Sequence, residues 1–416
     1  MRNPLVHLAV AVAVLGAGLS AVPAAALEPI HVGGYVRHHT SVLVDGRDYS
    51  LIENTLALTL DQSRGNVAFR VDPYVYQRPG EELEMGLRQA YVDIYWDSVD
   101  LRVGRQQVIW GKGDGVFITD VVSPKDLRRF LLPDFEEIRI GVDAVKLDYY
   151  RGSGTLEAVW IPVFAPALGP DEGSVWARSP QFPVQPSFDP SSEDVGASLE
   201  NSDVFAKYSL LSSSFDLEMM AGHAWDDEPA LHMSAELDPD THEMVSLVVA
   251  PQHHRLTLVG GSFSTAVGGA VMRGEGAYYW GKQFAAASPL NGDGVLERDY
   301  VHYLLGIDWA LLGVNVSAQF IQEIILDHDD SLASDEHSNV MTFLARDDFL
   351  SDTLHLELFS YVGLSDGDAL LRPKVSYDVA DGFEVLVGAD LFVGDEGMFG
   401  AYDRNDSVYT KLKYSF

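Results

Sequence analysis

In LLRPKVSYDV (370–379), Leu371, Pro373, Val375 and Tyr377 fall on one face and Arg372, Lys374, Ser376 and Asp378 on the other. A period of two with unlike faces marks a strand between two different surroundings. GVNVSAQFIQ (313–322), LHLELFSYV (354–362) and FEVLVGADLFV (383–393) repeat it, and segments of roughly 9–14 residues of this kind run through the chain. Their linkers constrain the fold further. Compact links at 63–66, 97–100, 151–154, 212–214, 265–270, 351–353 and 380–382 alternate with long ones near 111–137, 165–202, 227–241, 285–298, 327–338 and 395–406. Tight turns at one end and long loops at the other are the asymmetry of an outer-membrane barrel, which a soluble sandwich does not need.

Strands cross lipid only when every backbone N–H and C=O is paired, which requires a sheet closed on itself. Beyond residue 27 no stretch reaches the roughly 18 consecutive apolar residues of a spanning helix. The expected fold is therefore all-β: a transmembrane, antiparallel, up-and-down barrel of about 18 strands (16–20), with short periplasmic turns and long extracellular loops. The count is even if 242–266 forms one long strand reaching beyond the membrane, and odd if Pro251 splits it. The last ten residues, SVYTKLKYSF (407–416), alternate to the end. They read as the closing strand, with Tyr414 and Phe416 at the interface girdle. This ending resembles the carboxyl-terminal signal read by barrel-assembly machinery.

The amino end has Arg2, an apolar run from Leu5 to Leu19 and Ala24-Ala25-Ala26, a secretory signal expected to be cleaved after residue 26. Residues 27–416 then form one barrel domain. There is no cysteine, which excludes a disulfide scaffold and thiolate metal sites. With 62 Asp and Glu against 28 Lys and Arg, a nucleic-acid partner is excluded, since such binding rests on neutralising phosphates with basic residues. Acid collects in turn-like stretches such as DHDDSLASDEHS (327–338). These read as solvated loops, as loops that gather divalent cations, or as adaptation to salt.

Residues 104–140 break the pattern. Arg102 points inward, and an extra residue near Gly104, a bulge, keeps Arg105 and Gln107 inward while returning Val108 and Trp110 to lipid. An outward Arg105 would cost about 2–4 kcal/mol near the midplane. The following stretch, too long for a turn, carries Asp114, Asp120, Lys125, Arg128, Arg129, Glu136 and Arg139 among Phe117, Phe130, Leu131 and Phe135. Ser123, Pro124 and Asp126 suit a helix start in SPKDLRRFLL. Such a stretch either packs on the rim or folds into the lumen as a constriction over 111–137. Together with inward Arg70, Asp72, Asp93, Arg372 and Lys374, its charges would set the field along a pore. Alternatively, Phe117, Phe130, Leu131 and Phe135 would form a slide for greasy molecules.

LRQAYVDIYWDSVDLRVGRQQVIWGKGDGVFITDVVSPKDLRRFLLPDFEEIRI (87–140), LEAVWIPVF (156–164) and HRLTLVGGSFSTAVGGAVMRGEGAYYW (254–280) resemble the outer-membrane barrel family known as domain of unknown function 1302. The resemblance implies the outer membrane of a Gram-negative bacterium, contact with its lipid and lipopolysaccharide, and a transport role. It also implies partnership with a periplasmic lipoprotein and an inner-membrane exporter of the resistance-nodulation-division type. It brings no catalytic residues. GxSxG, P-loop and HExxH motifs are absent, so no enzyme is expected. His38-His39 and His253-His254 are adjacent pairs whose side chains diverge on a strand. In PLNGDGVLERD (289–299), Asn291, Asp293, Glu297 and Asp299 are a weak calcium candidate without EF-hand spacing. No other cofactor is expected. The expected function is a porin-like channel for small solutes or ions; the alternatives are a duct for hydrophobic or lipid-like molecules and an inert scaffold.

Overall fold

The computed structural model describes residues 29–416 except 179–181, 183, 289 and 291; the expected signal peptide at 1–26 lies outside them. The first strands are β1 (His31–Leu43), β2 (Tyr49–Arg64), β3 (Val67–Gln77), β4 (Glu84–Tyr95), β5 (Val99–Gln106), β6 (Val142–Arg151) and β7 (Gly154–Ile161). There follow β8 (Ser187–Phe188), β9 (Asp203–Leu211), β10 (Phe215–Trp225), β11 (Ala230–Leu237), β12 (Met244–Gln252), β13 (Arg255–Val267) and β14 (Ala270–Ala285). The last are β15 (Val295–Leu311), β16 (Val314–Ile325), β17 (His337–Phe349), β18 (Leu354–Gly363), β19 (Asp368–Ala380), β20 (Phe383–Val393) and β21 (Ser407–Ser415).

All but β8, β11 and β12 join one antiparallel sheet of 18 strands, each paired with its sequence neighbours. The ring closes where β21 pairs with both β20 and β1, from Tyr35 opposite Ser415 to Leu43 opposite Ser407. Pairing reaches the last residue: Gly34 N donates to Phe416 O and Phe416 N to Gly34 O, each at 3.0 Å. Gly34 has φ +156°, and a Cβ there would stand 2.3 Å from Ala57 O, so the seam requires glycine at this point. Val408, Leu412, Tyr414 and Phe416 are exposed on the outer face, while Tyr409 is buried inside. Outward Val375, Tyr377, Val387, Leu356 and Leu358 share that exposure, as the alternation requires of a lipid-facing surface.

The structure corrects four local expectations. Residues 242–266 are not one strand. Residues 244–252 pair with β11, inside a stretch read as loop, and with β8 in a separate three-stranded sheet at the long-loop end. The chain breaks at His253, whose Nδ1 lies 2.8 Å from Asp226 O and whose ring packs edge-on to Phe164 at 4.8 Å. The count of eighteen survives because β11 and β12 both stand outside the ring.

The bulge is on the neighbouring strand. Gly104 keeps one-to-one register with Tyr91 and Ala144, and the extra residue is Arg88, since Gln89 pairs with Asp72 and Leu87 with Pro73. Pro73 has no N–H to continue the ladder there. Gly104 instead kinks β5, with φ +127° and only 2.4 Å from a would-be Cβ to Ala90 O.

Val108 and Trp110 do not return to lipid. They are buried inside, because the chain leaves the wall after Gln106; Trp110 Nε1 donates to Glu157 and its ring meets Phe205 edge-on at 5.9 Å. SPKDLRRFLL is not a helix. Ser123 Oγ accepts from Val108 N at 2.9 Å, and Lys125 and Asp126 form isolated bridges to Arg139 and Leu168. Long-range backbone partners outcompete a single turn whose nucleation is unfavourable. The helix that forms is one turn, Phe135–Ile138.

If lipid meets the outer face, Val387→Arg, in the middle of β20, should destabilise the barrel by about 2–4 kcal/mol, and Val393→Arg, at its end, by only about 0–1 kcal/mol. Denaturant unfolding in lipid vesicles measures both, and equal costs would refute a bilayer around this surface.

Candidate permeation site

Residues 107–141, between β5 and β6, cross the barrel interior as a strap. Its backbone polar groups need partners there, and inward side chains of distant strands supply them. Glu275 of β14 is the main anchor: its carboxylate accepts from Lys112 N (2.7 Å), Gly113 N (3.1 Å), Thr119 N (2.7 Å) and Thr119 Oγ1 (2.7 Å). Four donors compensate the cost of burying a carboxylate. Gln319 of β16 grips Asp114 through both its amide atoms, Tyr279 OH donates to Ile118 O at 2.6 Å and Tyr361 OH to Gly115 O at 2.7 Å. On the opposite wall, Arg372 donates to Leu131 O and Leu132 O.

Two carboxylates organise the charged wall. Glu137, on the strap, takes Arg37 at 2.9 Å and Arg88 at 3.2 Å; Glu53, on β2, takes Arg78 at 2.8 Å, Arg37 at 3.2 Å and Arg129 at 3.7 Å. Asp134 is held by Lys411 at 2.9 Å and Arg37 at 3.3 Å. Enclosure alone would raise the pKa of Asp134 and Glu137, but the adjacent cations, Lys411 and Arg37 for the first and chiefly Arg37 and Arg88 for the second, hold both below the usual carboxylate range.

The strap divides the interior into cavities. A chamber of about 610 Å3 opens at the long-loop end beside Arg78, Arg88, Arg105, Arg128 and Arg129. It shares Arg129, Pro133 and Glu137 with a neck of about 40 Å3, completed by His39, Arg372, Asp390, Tyr409 and Lys411. The neck shares Arg372, Tyr409 and Lys411 with a middle chamber of about 210 Å3. That in turn shares Asp134, Glu357, Lys374 and Lys411 with a chamber of about 740 Å3 at the short-turn end, near Arg346, His355 and Lys413. These four lie in series along one charged wall. A fifth cavity, about 460 Å3 and mostly apolar, meets the middle chamber at Phe117, Leu131 and Tyr361.

Arg105, Arg128, Arg129 and Arg139 line the long-loop chamber, Arg372 the neck, Lys374 and Asp114 the middle chamber, and Glu136 the short-turn chamber. Asp120 and Lys125 line the apolar cavity. Gln107 instead ties the strap's ends, donating to Glu136 O and Arg139 O. Arg70 pairs with Asp72 at 2.9 Å and Arg102 with Asp93 at 2.7 Å; none of the four lines these cavities. Of the apolar set, Phe117 and Leu131 line two cavities and Phe135 the two lower chambers, while Phe130 packs among Phe392, Phe399 and Tyr402.

Sequence reasoning missed Arg37, Glu53, Arg78, Arg88, Glu275, Gln319 and Lys411 as site residues. Lys411 and Gln319 carried a signal, since both sit on the polar face of quoted strands. Of the calcium candidates, Asn291 lies outside the described residues; Asp293 bonds His232, Glu297 accepts from Gln283 and Asp299 from Tyr278. Among the described residues no three metal-ligating side chains gather.

No curated protein matches the sequence. Two solved Pseudomonas aeruginosa structures, OccK11 (OpdR) at 9% identity and OccK5 (OpdH) at 10%, each superpose with a TM-score of 0.54. The first alignment covers 94% of this chain and 96% of that one, the second 94% and 98%. Acinetobacter baumannii OccAB2, at 8% identity, also gives 0.54 over 94% of this chain and 98% of its own. These likenesses concern the fold, a closed antiparallel β-barrel of 18 strands. Residues 45–160, which run from the second strand through the whole strap, match the model of the family described as a protein of unknown function, DUF1302, the family that the sequence resembles.

Proposed function

We propose that this protein is a porin-like channel in the outer membrane of a Gram-negative bacterium, passing water, ions and small polar solutes by diffusion with no catalytic step. The observation that carries the reading is the neck. At about 40 Å3 it holds about three waters, at roughly 10–15 Å3 of such volume for each. Its walls present Arg129, Arg372 and Lys411 against Glu137 and Asp390, so a partly dehydrated ion exchanges water for fixed charge in the smallest of the four connected cavities. The acid excess then lies outside the passage, on loops where divalent cations bridge carboxylates to lipopolysaccharide phosphates.

A second reading, a duct for hydrophobic molecules working with a periplasmic lipoprotein and an inner-membrane exporter, is favoured by the apolar cavity. Phe117 and Leu131 stand where it meets the middle chamber. Under this reading the purified barrel would bind acyl chains and conduct no ions.

In a planar bilayer the wild-type protein should give steady conductance. The double variant Arg129→Gln, Lys411→Gln should move ion preference toward cations by about twofold or more, read from reversal potentials in a salt gradient. A correctly assembled barrel that never conducts would overturn the channel reading.

The strap's anchoring should also depend on pH in one direction. Because the folded pKa values of Asp134 and Glu137 are depressed, their stabilisation is complete above the ordinary carboxylate range. It is lost as pH falls through about 4 toward the depressed values. Single-channel conductance should therefore stay level from about pH 7 to 4.5 and become larger and noisier below about pH 4. The same change appearing already near pH 6 would mean that other groups hold the strap.

A further inference from the structure

The apolar cavity at the long-loop end is built unlike the charged path beside it. Val121, Leu127, Ala224, Leu256 and Leu258 supply its walls, and the rings of Trp225, Tyr279 and Tyr300 face it. Its volume of about 460 Å3 is that of a small-molecule site, commonly about 300–1,000 Å3. Its charge is unbalanced. Lys282 is held by Asp226 at 2.7 Å, Asp120 is paired with Arg139 at 2.6 Å, and Lys125 donates to the carbonyls of Asp120 and Ser123. Three further carboxylates line the cavity, Asp227, Glu228 and Glu323, and among the described residues none forms an ion pair with a lysine or arginine. A second unmet group points the same way: His302, buried and lining the cavity, leaves Nε2 without a hydrogen bond, 3.7 Å from Glu323 Oε1.

Glu228 is exposed and Glu323 is half-exposed and hydrogen-bonded to Tyr300, so the cost of the empty site falls on the enclosed Asp227, beside greasy walls that also lack a partner. A ligand with an apolar body and a positive head relieves both terms, burying its carbon against the walls while its charge meets the acids and the aromatic faces. We propose that this cavity is a binding site for small organic cations of the alkyl- or aryl-ammonium class. The site does not depend on whether the charged path conducts.

Enclosure also raises the Asp227 carboxyl well above its usual range, with Lys125 opposing and Asp226, Asp203 and Glu228 adding to the rise. A bound cation would take the place of that proton, so affinity should increase with pH.

The test is equilibrium binding of benzyltrimethylammonium and, separately, benzenesulfonate to the full barrel in nanodiscs, against empty nanodiscs. The cation should bind at least about tenfold more tightly than the anion, and more tightly at pH 8 than at pH 6. Asp227→Asn with Glu323→Gln should weaken cation binding by about tenfold or more while leaving the heat-sensitive gel mobility of the folded barrel unchanged. Ala224→Trp, which fills the cavity, should abolish binding on an intact barrel. No cation binding, equal binding of the two ions, or unchanged affinity in the double variant would each overturn the proposal. Conductance measured in parallel keeps failure here distinct from failure of the channel reading.

Discussion

The structure depends on one constraint: in lipid, no backbone N–H or C=O on the wall can be left without a partner. Closure of β21 on β1 follows from it, as does pairing continued to Phe416 itself. The same constraint acts inside. Residues 107–141 leave the wall and must find acceptors and donors within the lumen, and they find them on side chains. Glu275, Gln319, Tyr279, Tyr361 and Arg372 each bind strap backbone. The wall is closed by main chain against main chain; the strap keeps a few main-chain pairs, as from Leu127 N to Leu168 O, but is tied to the wall by side chain against main chain. A single substitution can therefore loosen the second and spare the first.

Alternation alone makes the wall legible in the sequence. Val375, Val387 and Leu412 face outward and Arg372, Lys374 and Gln319 inward, as a period of two dictates. Where alternation stops, the sequence stops being readable. Val108 and Trp110 keep the spacing of wall residues, yet lie inside, because nothing local tells where the strand leaves the sheet. Ser123, Pro124 and Asp126 carry a true helix-start pattern, overruled by bridges to residues 139 and 168. The bulge lies one strand away from the visible oddity: Gly104 accommodates the kink in β5, whereas the extra residue, Arg88, sits on β4 opposite Pro73 of β3, which has no N–H for the ladder.

The candidate site was half legible. Arg129, Arg372 and Lys374 stood out as charges in polar phase or in the strap. Glu275 did not, because its role is to receive backbone N–H groups from residues more than 150 positions away, and no periodicity records that. Arg37 and Glu53 sit in strands whose alternation is weaker, and their importance comes from the network through Glu137 and Arg129.

The lumen also differs in charge from the chain as a whole. The chain carries 62 acidic against 28 basic residues, yet the long-loop chamber is lined by Arg78, Arg88, Arg105, Arg128, Arg129 and Arg139 against Glu81, Glu84, Asp126, Glu137, Asp171 and Glu172, six of each sign. This chamber is balanced while the molecule is not, so the acid excess sits elsewhere. The strap accounts for the split within the barrel. On one side, Val108, Trp110, Ile118 and Val122 pack against inward Phe205, Leu256, Leu304 and Ile321; on the other, Asp134 and Glu137 engage Arg37, Arg88 and Lys411. An amphipathic segment laid across the lumen gives it a greasy half and a charged half. The polar path and the apolar cavity are therefore two consequences of one sequence choice at residues 107–141.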